Sequence, residues 1–180
     1  LAQVTGSHYR AKVAVCYHYY SDWDGEGDIF YGPLSGPSVM NWFSACQEAH
    51  APMDLLCLRE GMELAGLLPY ELLVLPHIGL LSNELCRLLS RYVEQGGRVV
   101  FGARTGFKDE FGRCPMRPAP GGAAELVGGT VREYTLLPQK KQVTATLWGR
   151  SVALPLVNEV LEPEAGGEVL ACYEGEYYAG

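Results

Sequence analysis

No histidine follows His77 in this 180-residue sequence; His8, His18, His50 and His77 all lie in its first half. That scarcity matters at residues 102–106, Gly-Ala-Arg-Thr-Gly. The spacing is that of a Gly-x-nucleophile-x-Gly turn, which lifts a Ser or Cys above the strand ends of an α/β sheet. Here Arg104 holds the middle position, and a guanidinium cannot attack a carbonyl. A cysteine hydrolase of the glutamine amidotransferase type also needs a general base from later in the chain. Two of the three parts of covalent catalysis are therefore missing, and no catalytic residue is expected.

Other absences narrow the classes further. Neither G-x-G-x-x-G nor G-x-x-x-x-G-K occurs, so the nucleotide-binding loops they mark are not expected. Tyr17-His18-Tyr19-Tyr20 is bulky where a phosphate loop after a first strand would be small; no cofactor is expected. The six cysteines form no C-x-x-C pair and no zinc-type spacing. They read as reduced, structural thiols, which fits a cytoplasmic protein. Fourteen Lys and Arg against 21 Asp and Glu give a net charge of −7, which argues against nucleic acid as a partner. No apolar run approaches the roughly 20 residues needed to span a bilayer. Asp22, Asp24, Glu26 and Asp28 alternate like calcium ligands, but they lack flanking helices and a closing Glu, so no metal is expected.

What is present suits a packed core: 48% hydrophobic and 19% charged residues. Residues 12–16 read as a first strand, 53–58 as a second, 73–76 as a third buried on both faces, and 98–101 as a fourth. Residues 37–50 carry Val39, Trp42, Phe43 and Cys46 on one helical face. Ser82 is placed to cap a helix whose apolar positions are Leu85, Leu88, Leu89, Tyr92 and Val93, and Gly96-Gly97 to stop it. Alternating β and α units imply a parallel sheet with helices on its faces. A long aromatic and glycine-rich segment, 17–36, follows the first strand and reads as a loop. It is read either as a lid over the sheet or as an interface, since Tyr and Trp anchor interfaces. Beyond residue 129 the pattern becomes β. Residues 130–137 and 142–148 read as strands joined at 138–141, and 168–173 is expected to pair with 177–179. Arg104 is expected to pair locally with Asp109 or Glu110, or to fix an interdomain or intersubunit contact.

Residues 10–15 (Arg-Ala-Lys-Val-Ala-Val) with 17–23 (Tyr-His-Tyr-Tyr-Ser-Asp-Trp) resemble the opening of the middle domain of glycoside hydrolase family 42 β-galactosidases. Residues 73–82, 92–97, 168–171 and 177–180 are similar to later parts of that domain. Its most specific signature is the run 104–110, Arg-Thr-Gly-Phe-Lys-Asp-Glu. The resemblance implies a flavodoxin-like, class I glutamine amidotransferase-like α/β sheet flanked by helices, with a small C-terminal β extension. It implies a domain used for trimerisation, with the catalytic glutamates on a TIM barrel N-terminal to it and absent here. Partners would then be other copies of the same chain, that barrel, and a galactoside near the rim of a neighbour's pocket. Trp23, Arg104, Asp109 and Glu110 carry over as interface or structural positions. The expected organisation is a linker at 1–9, the α/β domain at 10–136, and a β extension at 137–180. The whole is read as a piece of a longer protein, with the extension cut short. The alternative left open is an independent α/β module that binds a sugar through residues 17–36.

Overall fold

A computed structural model describes residues 5–7, 10–138 and 141–176. Four parallel strands, β1 (Val13–Tyr17), β2 (Met53–Cys57), β3 (Leu72–Leu75) and β4 (Arg98–Phe101), form a sheet in the order β2-β1-β3-β4. The inner strands are apolar on both faces because helices cover both: Ala14, Val15, Leu73, Val74 and Leu75 are all fully buried.

On one face lies α3 (Asn83–Glu94), begun by the Ser82 hydroxyl, which accepts the Leu85 amide at 3.2 Å. Its buried stripe of Leu85, Leu88, Leu89 and Tyr92 packs on Cys16, Leu73 and Leu75. Burying each such leucine contributes about 2 kcal/mol. The helix ends at Gly96, whose φ of 91° suits glycine. At Gly97 a side chain is excluded, since a Cβ there would sit 2.2 Å from the Tyr92 ring. That ring is pinned by its hydroxyl, which donates to the Tyr70 carbonyl at 3.0 Å. On the other face α2 (Ser35–Glu48) lays Val39, Trp42 and Cys46 against Val15, Met53 and Val74.

Segment 17–36 differs from the loop read in the sequence. Residues Tyr19–Glu26 form a helix, α1, with only Ser21 buried. Its apolar side chains face outwards, so it lacks the periodic apolar stripe that marks a helix in sequence.

The β region also departs from expectation. After α4 (Ala124–Val127) come β5 (Gly129–Leu136), β6 (Gln142–Leu147), β7 (Arg150–Pro155), β8 (Val157–Pro163) and β9 (Ala171–Glu174). The strands expected at 130–137 and 142–148 exist but do not pair with each other. β5 pairs antiparallel with β8, while β6 lies between β7 and β9. The hairpin instead turns at Trp148 and Gly149, with φ of 49° and 74°, the left-handed pair that matches strand twist. The expected partner of residues 168–173, at 177–179, lies outside the described residues.

Candidate functional site

The elbow after β4 keeps the backbone of a nucleophile turn. Gly102 is forced by the approach of the β3 end: a Cβ would lie 2.0 Å from the Pro76 carbonyl oxygen. Arg104 sits at φ 60°, a left-handed conformation that costs a non-glycine residue free energy and persists only where surroundings hold it. Those surroundings are visible. The Thr105 hydroxyl donates to the Leu75 carbonyl at 3.1 Å and accepts the Ile78 amide at 3.3 Å. The Gly106 amide reaches the Ile78 carbonyl at 2.9 Å.

The Arg104 side chain is 7% exposed. Its guanidinium carbon lies 3.7 Å from the centre of the Tyr31 ring and 4.5 Å from that of Phe107, an arrangement favoured by the ring quadrupoles. Nη2 is 3.6 Å from Asp28 Oδ2. Asp28 Oδ1 accepts the Phe30 and Tyr31 amides at 2.9 and 3.0 Å. Burial opposes ionisation of Asp28, yet those two amides and Arg104 hold its carboxyl below the usual range. The Arg104 amide donates to Glu159 Oε1 of β8 at 2.8 Å. Burial pushes the Glu159 carboxyl up, and Arg104 offsets this only in part. Tyr134 of β5 closes the assembly edge-on to Phe107 at 5.3 Å.

Arg104 therefore pairs neither with Asp109 nor with Glu110, which corrects the sequence expectation. Asp109 turns the other way: Oδ1 accepts the Phe111 and Arg113 amides, each at 2.9 Å, and Oδ2 meets Arg113 Nε at 3.2 Å. The Arg113 and Phe111 amides, together with the Arg113 charge, hold its pKa low. Glu110 is exposed and faces a small hollow with His18, Glu60 and Ser82. Trp23 is 61% exposed on α1, stacked on Tyr19 at 6.2 Å and edge-on to Tyr20 at 5.5 Å. The four signature positions thus occupy four separate environments. The sequence does not mark Asp28, Tyr31, Phe107, Tyr134 or Glu159 as neighbours of Arg104. The Asp-x-Phe-Tyr turn was the one local signal; Glu159 had none.

No concealed nucleophile emerges from the buried thiols. Burial, with a smaller push from Cys57, raises Cys16 to about 12, and burial raises Cys86 to about 11; neither is a thiolate at neutral pH. His77 Nδ1 donates to the Ala103 carbonyl at 2.8 Å, and burial keeps its pKa low despite that bond. Among the described residues no group of three His, Cys, Asp or Glu is placed to hold a metal ion, and no helix is long and apolar enough to cross a membrane.

A four-stranded parallel sheet flanked by helices, with a C-terminal β region docked on its strand-end elbow through Glu159 and Tyr134, defines the class: an α/β domain. The model of the β-galactosidase trimerisation domain family matches residues 11–180, and the chain belongs to that family. It is 28% identical over 183 residues to β-galactosidase Bga of Halorubrum lacusprofundi, covering 88% of this chain and 24% of that protein. The solved β-galactosidase from the same haloarchaeon superposes with a TM-score of 0.83 at 28% identity, over 97% of this chain and 25% of that one. The cold-adapted β-galactosidase from Rahnella sp. R3 has the same fold, with a TM-score of 0.88 over 100% of this chain and 27% of that one, at 24% identity. The chain thus spans about a quarter of the length of the relatives it matches.

Proposed function

We propose that this chain is the assembly domain of a β-galactosidase-like glycoside hydrolase of carbohydrate metabolism, holding copies of its parent in a homotrimer. The bond-cleaving glutamates belong to a TIM barrel outside residues 1–180. The observation that carries this reading is the elbow: Arg104, permanently cationic and buried between Tyr31 and Phe107, fills the place where a hydrolase of this shape would keep its nucleophile. Residues 1–9 act as a linker, 10–136 as the α/β domain and 137–180 as its β extension. The exposed Trp23, with Tyr19 and Tyr20, supplies the contact to a neighbouring copy and the rim of that neighbour's galactoside pocket. Arg104, Asp109 and Glu110 act as structural positions. Six free cysteines suit a cytoplasmic setting.

Two measurements test this. Sedimentation equilibrium of the parent enzyme gives a trimer, and Trp23→Ala shifts it towards monomer at a given concentration. The 180-residue chain alone leaves a chromogenic galactoside unhydrolysed; turnover that survives rigorous purification would falsify the reading. The stacked, exposed Trp23 and Tyr19 favour one alternative, a self-standing sugar-binding module. That alternative demands saturable heat on titrating this chain with galactose or lactose.

A further inference from the structure

Ile29 and Phe30 stand in the turn between α1 and α2, 88% and 74% exposed. Scattered exposed apolar residues are normal, but this pair is held firmly from both sides. Asp28 Oδ1 caps the turn by accepting the Phe30 and Tyr31 amides at 2.9 and 3.0 Å, and the Gly32 amide closes it on the Asp28 carbonyl at 2.9 Å. Arg104 then holds the residue on either side of the pair: Nη2 is 3.6 Å from Asp28 Oδ2, and the guanidinium carbon is 3.7 Å from the centre of the Tyr31 ring. On α1, Lys108 Nζ meets Asp24 Oδ2 at 2.6 Å. Two cations of the segment after β4 thus tie down the chain between Asp24 and Tyr31, and Glu159 in turn fixes the Arg104 backbone.

Ordering a turn costs backbone entropy, and side chains that stay in water return none of it within the protomer. The return comes on association, where an apolar anchor already held in place has little freedom left to lose. At these exposures the pair projects outwards, the opposite of the concave sites that take small ligands. The turn folds back on α1: the Gly32 carbonyl oxygen lies 3.6 Å from a Cβ built on Gly25. It therefore adjoins the helix on which Trp23 packs against Tyr19 and Tyr20. Together these five side chains expose roughly 600 Å² of mostly apolar surface, approaching the ~800 Å² that one partner gives to a stable interface. In a chain of a trimerisation family the occupant such a surface fits is a second copy. Threefold assembly is head-to-tail, so the turn meets a different surface of its neighbour rather than its own image.

We propose that Ile29 and Phe30 anchor one copy to the next and that Arg104 is the positioning residue that presents them, an inference resting on the trimer reading above. Sedimentation equilibrium of the parent enzyme tests it. Phe30→Ser and Ile29→Ser should each raise the trimer dissociation constant at least tenfold and leave the circular dichroism spectrum unchanged. Leu161→Ser, which removes an apolar side chain 61% exposed on β8, should leave the trimer as it is. Arg104→Met keeps bulk between the rings without the charge, and Asp28→Asn keeps the capping oxygen without its charge. Each should weaken the trimer and speed hydrogen exchange at the Phe30 amide. A trimeric parent whose Phe30→Ser and Ile29→Ser variants associate as tightly as it does overturns this inference and leaves the trimer reading standing; a parent monomeric at every concentration overturns both. Weakening by Leu161→Ser as large as that by Phe30→Ser also overturns it, since the contact would then be unspecific. An unchanged trimer with slow Phe30 exchange in both charge variants overturns the role of Arg104.

Discussion

Leu89 of α3 and Leu161 of β8 are the same side chain in opposite circumstances, 0% and 61% exposed. The contrast holds for the regions around them. Both core clusters draw their buried members from residues 14–123, whereas β5 to β9 leave Leu136, Trp148, Leu156 and Leu161 open to solvent. The α/β part is held by side-chain packing between layers. The β part is held by strand pairing and by a few contacts onto the elbow: Glu159 on the Arg104 amide, Tyr134 against Phe107, and the Val131 amide on the Ala119 carbonyl at 2.7 Å. A region that buries little of its own apolar surface depends on what it is docked against. Here the docking point is the elbow at residues 102–106, and the contacts made there hold Arg104 in its left-handed conformation.

The largest effects should therefore come from the packed part. Leu89→Ala should cost about 4 kcal/mol in urea unfolding, the upper range for a leucine cavity in a tight core; a loss below about 1 kcal/mol would erase the contrast. Gly102→Ala should cost about 3 kcal/mol, because its Cβ meets a backbone carbonyl that cannot swing aside. Glu159→Ala should cost about 2 kcal/mol by stranding the Arg104 amide. Hydrogen exchange at that amide should accelerate in the variant while β1 and β3 amides keep their protection.

Titration distinguishes the regions by sign. Burial lowers the folded-state pKa of His18 and His77 below 6.5, against weaker opposing pulls. Between their folded values and 6.5 the unfolded chain holds more protons, so their contribution falls as pH drops through that window. Glu159 is raised above 4.5, so its protonated form favours the fold at low pH and that contribution is lost as pH rises through the folded value. Urea midpoints should drop from pH 7 towards pH 5.5 in the parent. Glu159→Gln should remove the opposing slope above pH 4.5 and leave the histidine slope in place. The smallest effect is Leu161→Ala, expected to stay within about 0.5 kcal/mol by thermal unfolding.

The two regions were also unequally legible. Strands β1 to β4 and helices α2 and α3 follow from apolar periodicity, capping and glycine stops, because each buries a face whose spacing is written locally. The sequence of α1 reads as loop because its aromatic residues point outwards and leave no apolar stripe. β7 and β8 leave no strand signal in the sequence, and the β5–β8 pairing departs from the expected one, because half-exposed strands lack a clear alternation and pairing is a long-range choice. At the site, the elbow and Arg104 were legible from the spacing 102–106 alone, and the family signature from 104–110. The partner of Arg104 was not. Asp109 is five residues away and was the natural candidate, yet the left-handed turn aims the guanidinium back towards Asp28.

Local sequence thus decided that residues 10–127 would fold as a layered parallel sheet and that its corner would carry no attacking group, since periodicity and side-chain chemistry are properties of neighbours along the chain. Only the tertiary structure decided what surrounds that corner. Tyr31 and Asp28 from one turn converge there with Phe107, Tyr134 and Glu159, four separate stretches in all, and it is the crossing of strands and loops in space, not their order, that sets which charge a buried guanidinium meets.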